Sequence, residues 1–171
     1  AEQYINLAKK SDDAFKQLVE YFEKVDEPTM IVMFGDHQPP ISNTFYSAMF
    51  GKSVDNLPTK DQANWYATPY VIWANYDIEA KDLDMSANYL SSYVMNLAGL
   101  ELTGYNKYLL NLQKTLPVIS AVCYMDADGN VYANDEESEY SDLIREYQMI
   151  QYNELFDEDN RLNDFFFLRS E

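Results

Sequence analysis

Cations, cysteine and histidine are all scarce in this chain. Twelve lysines and arginines face 29 aspartates and glutamates, which leaves a formal net charge of −17. So acidic a segment repels phosphate backbones and anionic headgroups, which excludes nucleic acid and an anionic membrane surface as its direct partners. An anionic substrate would need positive charge supplied by a metal or by basic residues elsewhere. The one cysteine, Cys123, cannot form an intrachain disulfide, and no CxxC pattern offers a zinc site. Its neighbours Ala121, Val122 and Tyr124 make it a small buried strand residue rather than a nucleophile. Long apolar runs are missing too. No stretch is long enough to span a membrane, and the first residues lack the basic-then-apolar pattern of a signal peptide. Such elements would lie outside these residues. Internal repeats and low-complexity tracts are also absent.

What the chain does have is apolar and aromatic mass. It is 47% hydrophobic and 15% aromatic, which argues against disorder. Its 171 residues suit one domain with room for a small appendage, and they can bury a real core. Fifteen tyrosines and nine phenylalanines predict an aromatic core and a surface partly covered by tyrosine.

From about Glu2 to Val25 the spacing predicts a helix, with Phe15, Leu18, Val19, Phe22 and Val25 on one apolar stripe. Ala1 begins almost directly in it, as though the chain were cut inside a larger domain. Thr29-Met30-Ile31-Val32-Met33-Phe34 has no polar alternation and reads as a strand covered on both faces, as in a parallel sheet. It ends in Gly35-Asp36-His37-Gln38-Pro39-Pro40. Ligands of open α/β sheets sit beyond the carboxyl ends of strands, which is where Asp36 and His37 fall. A carboxylate beside an imidazole on a stiff turn can ligate a metal through oxygen and nitrogen. Taken alone, the same turn is equally readable as a histidine bonded to backbone at a strand end.

Ser42 or Asn43 should cap a short helix to about Phe50, closed by Gly51. Lys52 to Tyr66 is polar and is expected to be a loop. Thr68-Pro69 leads into a second apolar strand, Tyr70 to Ala74. Helices are expected over Asp84 to Ala98 and Gly104 to Leu116. Val118 to Tyr132 reads as a β-hairpin through Asp126-Ala127-Asp128-Gly129. As a calcium loop that turn fails on spacing, because Val131 stands where an EF-hand needs glycine. A charge run from Asp135 to Glu139 should open a helix reaching about Phe156, and the apolar run Phe165-Phe166-Phe167-Leu168 should dock on the body.

No serine sits in a GxSxG-like elbow, and nothing local supports a thiol dyad of Cys123 with His37. The wider pattern is more specific. Asp12-Asp13-Ala14-Phe15 comes first, then Ile31 to Pro39 around Gly35-Asp36-His37. Thr68-Pro69-Tyr70-Val71-Ile72-Trp73-Ala74-Asn75-Tyr76 follows, with Ser86-Ala87-Asn88-Tyr89-Leu90, Leu97-Ala98-Gly99-Leu100, Tyr105 and Tyr108. Together they resemble the C-terminal part of the lipoteichoic acid synthase-like phosphoglycerol transferases, in the sulfatase/alkaline phosphatase superfamily. The resemblance runs from the first helix into the helix carrying Tyr147-Gln148-Met149-Ile150-Gln151-Tyr152.

The resemblance implies a membrane-anchored enzyme whose globular domain lies on the extracellular face. In that family a threonine nucleophile attacks phosphatidylglycerol, diacylglycerol leaves, and glycerol phosphate passes to an acceptor such as a growing glycerol-phosphate polymer. One divalent metal, manganese or magnesium, assists. The family's Asp-His metal pair maps onto Asp36 and His37, and Gln38 beside it would touch substrate or support the ligands. The nucleophile and the remaining ligands lie upstream in the family. Thr29, Thr44, Thr59 and Thr68 therefore do not take the nucleophile's role. The segment alone should be inactive and bind metal weakly or not at all. Thr68, Pro69 and Trp73 read as strand start and core rather than as substrate contacts.

The fold expected is α/β: a truncated alkaline phosphatase/sulfatase-like sheet of mainly parallel strands with flanking helices, plus a small C-terminal antiparallel hairpin and helix. Residues 1–116 would form the catalytic-domain portion and 117–171 the smaller subdomain. An exposed sheet edge would favour a homo-oligomer of the segment. A sulfatase or phosphoethanolamine transferase of the same superfamily, or a non-catalytic binding domain that keeps the turn, are the alternatives. The upstream nucleophile separates them.

Overall fold

The computed structural model describes residues 2–168, which form two compact units divided between Ala80 and Lys81. This boundary differs from the one expected between residues 116 and 117. The reason is packing: the two helices that precede the hairpin share their core with it.

The first unit opens with α1, Glu2–Phe22. Of the predicted stripe, Phe15, Val19 and Phe22 are half-buried, Leu18 is exposed and Val25 lies past the helix end, and no residue of the helix is fully buried. Strand β1, Met30–Phe34, pairs with β2, Tyr70–Ala74, and the register runs from Met30 opposite Ala74 to Phe34 opposite Tyr70. The pair is antiparallel, against the parallel arrangement expected. Unbroken apolar runs report how much of a strand is to be covered; they do not report the direction of its neighbour. Within the described residues the covering is also partial, since Met33, Phe34 and Val71 stay exposed.

Between the strands the chain makes one excursion that leaves and returns at the same end of the ribbon. It contains α2, Asn43–Phe50, and α3, Thr59–Tyr66. Ser42 caps α2 through its side chain, and Gly51 closes it at φ 67, a left-handed turn that glycine adopts freely. The stretch expected to be loop thus holds a helix. Lys60, Asp61, Gln62 and Asn64 mask its periodicity, but Trp65 packs on the small core of Tyr46, Val54 and Leu57.

In the second unit α4, Ala87–Leu97, and α5, Gly104–Thr115, pack against each other. Thr103 and Asn106 form a reciprocal capping box at the start of α5. Strands β3, Val118–Ile119, β4, Cys123–Met125, and β5, Val131–Ala133, form an antiparallel sheet in sequence order. Helix α6, Ser141–Phe156, follows it. The acidic run Asp135–Glu139 stands ahead of α6 rather than opening it. The core joins Tyr89, Leu109, Leu112, Leu116, Tyr124 and Tyr147, with Leu143 and Ile144 of α6 packed against it. Cys123 is buried, as expected. The tail docks in part. Helix α7, Asn163–Phe166, sets Phe165 and Phe166 against the ring of Tyr105, while Phe167 and Leu168 remain exposed.

Candidate functional site

The ribbon positions the turn. Its ladder runs one residue past each strand end, with Gly35 N–H donating to Pro69 O at 3.0 Å and Asn75 N–H donating to Thr29 O at 3.1 Å. At each end a side chain makes the reciprocal bond. The Thr68 hydroxyl donates to Gly35 O at 2.8 Å, and Asn75 Oδ1 accepts from Thr29 N–H at 2.8 Å. Gly35 lies so close to Thr68 that a Cβ on it would stand 2.9 Å from Thr68 Cβ. The glycine is needed for that approach, and not only for turning. Farther along, the Tyr46 hydroxyl donates to Pro39 O at 2.6 Å, tying the exit of the turn to the core of the excursion.

Asp36 and His37 both project into solvent, with side chains 80% and 73% exposed. Asp36 Oδ1 accepts from His37 N–H at 2.9 Å, which orients the carboxylate toward its neighbour. His37 Nδ1 lies 2.9 Å from Gln38 O. A carbonyl can only accept, so in this geometry Nδ1 is the donor and Nε2 is the ring nitrogen left to meet another group. Nε2 lies 3.4 Å from Asp36 Oδ2. A carboxylate oxygen and an imidazole nitrogen converging at this range can be bridged by a proton or by a cation. Metal-bound histidines usually donate their other ring N–H to a carbonyl or carboxylate, which is the arrangement here.

The pair therefore fits a hard or borderline divalent ion as one carboxylate oxygen and one imidazole nitrogen. It does not complete a site. Among the described residues no third His, Cys, Asp or Glu joins them. Gln38 donates its side-chain amide to Ala67 O, so that nitrogen is engaged with backbone. Pro69 and Thr68 lie beside the turn as its anchors, a relation that the strand-start reading missed. The signal was present in the sequence: proline has no N–H to offer Gly35, and the residue before it carries a hydroxyl.

A second acidic feature proves structural. Asp126 is buried in the β4–β5 turn and accepts from Asp128 N–H, Asn130 N–H, the Asn130 side chain and the Tyr132 hydroxyl. Its oxygens are occupied by the protein itself. No described helix is long and apolar enough to cross a membrane.

The Gly-Asp-His turn at the end of a strand, set against a Thr-Pro lead-in, belongs to a known class. The family model Sulfatase matches residues 1–100, and the chain belongs to that family. A protein of Rhizobium meliloti (strain 1021), whose name assigns it to cyclic beta-1,2-glucan modification, is 29% identical over 159 residues. That match covers 90% of this chain and 25% of the relative. Among solved structures, the Streptococcus pyogenes phosphoglycerol transferase GacH in complex with sn-glycerol-1-phosphate matches with a TM-score of 0.61 at 17% identity. It covers 93% of this chain and 36% of GacH, and it shows the shared fold. The chain thus spans about a quarter of the one relative and about a third of the other.

Proposed function

We propose that the chain supplies one wall of the active site of a metal-dependent phosphoglycerol transferase of the cell envelope. The observation that carries this reading is the oriented pair: His37 Nε2 and Asp36 Oδ2 face one another at 3.4 Å with Nδ1 already committed to Gln38 O. Membership of the sulfatase family and the fold shared with GacH support it. Asp36 and His37 would hold a manganese or magnesium ion, which would neutralise phosphoryl oxygens during transfer. Such an ion also answers the charge problem, because a segment at −17 otherwise repels a phosphodiester.

In this proposal the donor is phosphatidylglycerol, and a threonine outside these residues is the nucleophile that carries glycerol phosphate as a phosphothreonine. The remaining metal ligands also lie outside them, in a protein held at the outer face of the membrane. The acceptor is an envelope glycan or a glycerol-phosphate chain; the name of the Rhizobium meliloti relative supports the former. Gln38 keeps the turn closed from beside the ligands.

The family model's own description makes sulfate-ester hydrolysis the competing reading. The complete gene product, supplied with manganese, is to be given phosphatidylglycerol and an aryl sulfate in parallel. Diacylglycerol release without sulfate release is the expected outcome. Sulfate release without diacylglycerol would overturn the transferase reading in favour of a sulfatase.

A further inference from the structure

We propose that Thr68 is a positioning residue for the Asp36–His37 pair, standing in for a backbone donor that Pro69 removes. This rests on the metal-binding reading of the turn. In the antiparallel register, Gly35 and Pro69 form a hydrogen-bonded pair that should exchange two backbone bonds. Only one is possible: Gly35 N–H reaches Pro69 O at 3.0 Å, but proline has no N–H to return. The Thr68 hydroxyl fills the vacancy at 2.8 Å from Gly35 O.

The bond matters because of where Gly35 O sits. It belongs to the Gly35–Asp36 peptide, the last rigid plane before the two ligands. That plane fixes the direction of Asp36, and through the bond from His37 N–H to Asp36 Oδ1 it fixes the pair. A backbone ladder bond would hold the plane in strand geometry. A hydroxyl reaching from one residue earlier holds it while the chain leaves the strand. Van der Waals contact reinforces the seat, since Gly35 packs directly on Thr68. Thr68 acts through Gly35.

The test uses the complete gene product and manganese alone, followed by electron paramagnetic resonance of the free ion. Thr68→Val keeps the shape and loses the donor. It should weaken manganese binding by about 10- to 100-fold, the usual effect of losing a partner that orients metal ligands. Thr68→Ser keeps the hydroxyl and should bind manganese about as the native protein does. Thr68→Val combined with Pro69→Ala restores a backbone N–H opposite Gly35 O and should recover most of the affinity. In the metal-free protein, amide exchange across residues 34–38 should quicken in Thr68→Val and slow again in the double variant.

Native manganese affinity in folded Thr68→Val, with affinity lost in Asp36→Ala, would overturn the positioning role and leave the metal site standing. Native affinity in both Asp36→Ala and His37→Ala would remove the metal site and this role with it. If Thr68→Val does not fold, the double variant and Thr68→Ser decide. A folded double variant that stays weak while Thr68→Ser binds normally contradicts the backbone-donor argument.

Discussion

At the scale of single residues, this protein repeatedly places a side chain where the backbone runs out of partners. Thr68 does so for Gly35, Asn75 for Thr29, and Tyr89 for the carbonyl of Leu116, which its buried hydroxyl meets at 2.9 Å. Asp126 is the densest case. Its carboxylate accepts two backbone N–H groups, the Asn130 side chain and the Tyr132 hydroxyl. The Asn130 side chain leads these donors in holding the Asp126 carboxyl below its ordinary value, against the opposing effect of burial. A carboxyl whose folded-state pKa is lowered contributes stability above its unfolded value and loses it as pH falls through the folded one. The second unit should therefore lose thermal stability on acidification into the carboxylate range. Asp126→Asn should be less stable at neutral pH and show a flatter decline below it. Melting curves of both proteins across the acid range check this, and parallel curves would mean that Asp126 contributes no pH dependence. The comparison with the variant matters, because protonating other carboxylates of so acidic a chain relieves repulsion and acts in the opposite direction.

At the scale of elements, the ribbon of β1 and β2 is the part that matters for the site, and two strands alone are marginal in water. Asn75 compensates at the end away from the turn. Its Oδ1 accepts from Thr29 N–H, and its amide nitrogen lies within 3.1 Å of the carbonyls of Phe22, Val25 and Glu27. One side chain thereby binds the end of α1, the link and both strand ends. Asn75→Ala should cost about 2–3 kcal/mol, as expected for stranding several partly buried backbone groups. Denaturant unfolding gives that number. Hydrogen exchange should show the loss concentrated over residues 22–30, and a uniform change would contradict the strap. Most elements were legible because their periodicity is strong: α1, α2, α4, α5 and both apolar strands fall close to where the spacing puts them. Helix α3 was hidden because Lys60, Asp61, Gln62 and Asn64 outweigh the few residues that touch its core. The start of α6 was misplaced because acids that favour a helix terminus also favour solvated turns. Strand direction was not legible at all, since apolar content is blind to it.

At the scale of the whole molecule, the turn was legible as a signature while its support was not. Gly35-Asp36-His37 stands out through its residue types. Its geometry depends on Thr68 and Pro69, more than thirty positions later, and only the antiparallel register brings them there. The packing boundary near residue 80 was equally invisible, because the helices on its far side have the same apolar stripes whichever sheet they cover. The two units also differ in how much they bury. The second has a continuous aromatic and aliphatic core, whereas the first leaves Met33, Phe34, Val71 and much of α1 exposed.

In the proposed function, Asp36 and His37 hold the metal of a phosphoglycerol transferase. The most direct test of that proposal is release of diacylglycerol from phosphatidylglycerol by the complete gene product with manganese, measured beside Asp36→Ala. Loss of a ligand should exceed the 10–100-fold effect typical of an outer partner, so the variant should fall by more than about a hundredfold while keeping its fold. Undiminished release by Asp36→Ala would contradict the account.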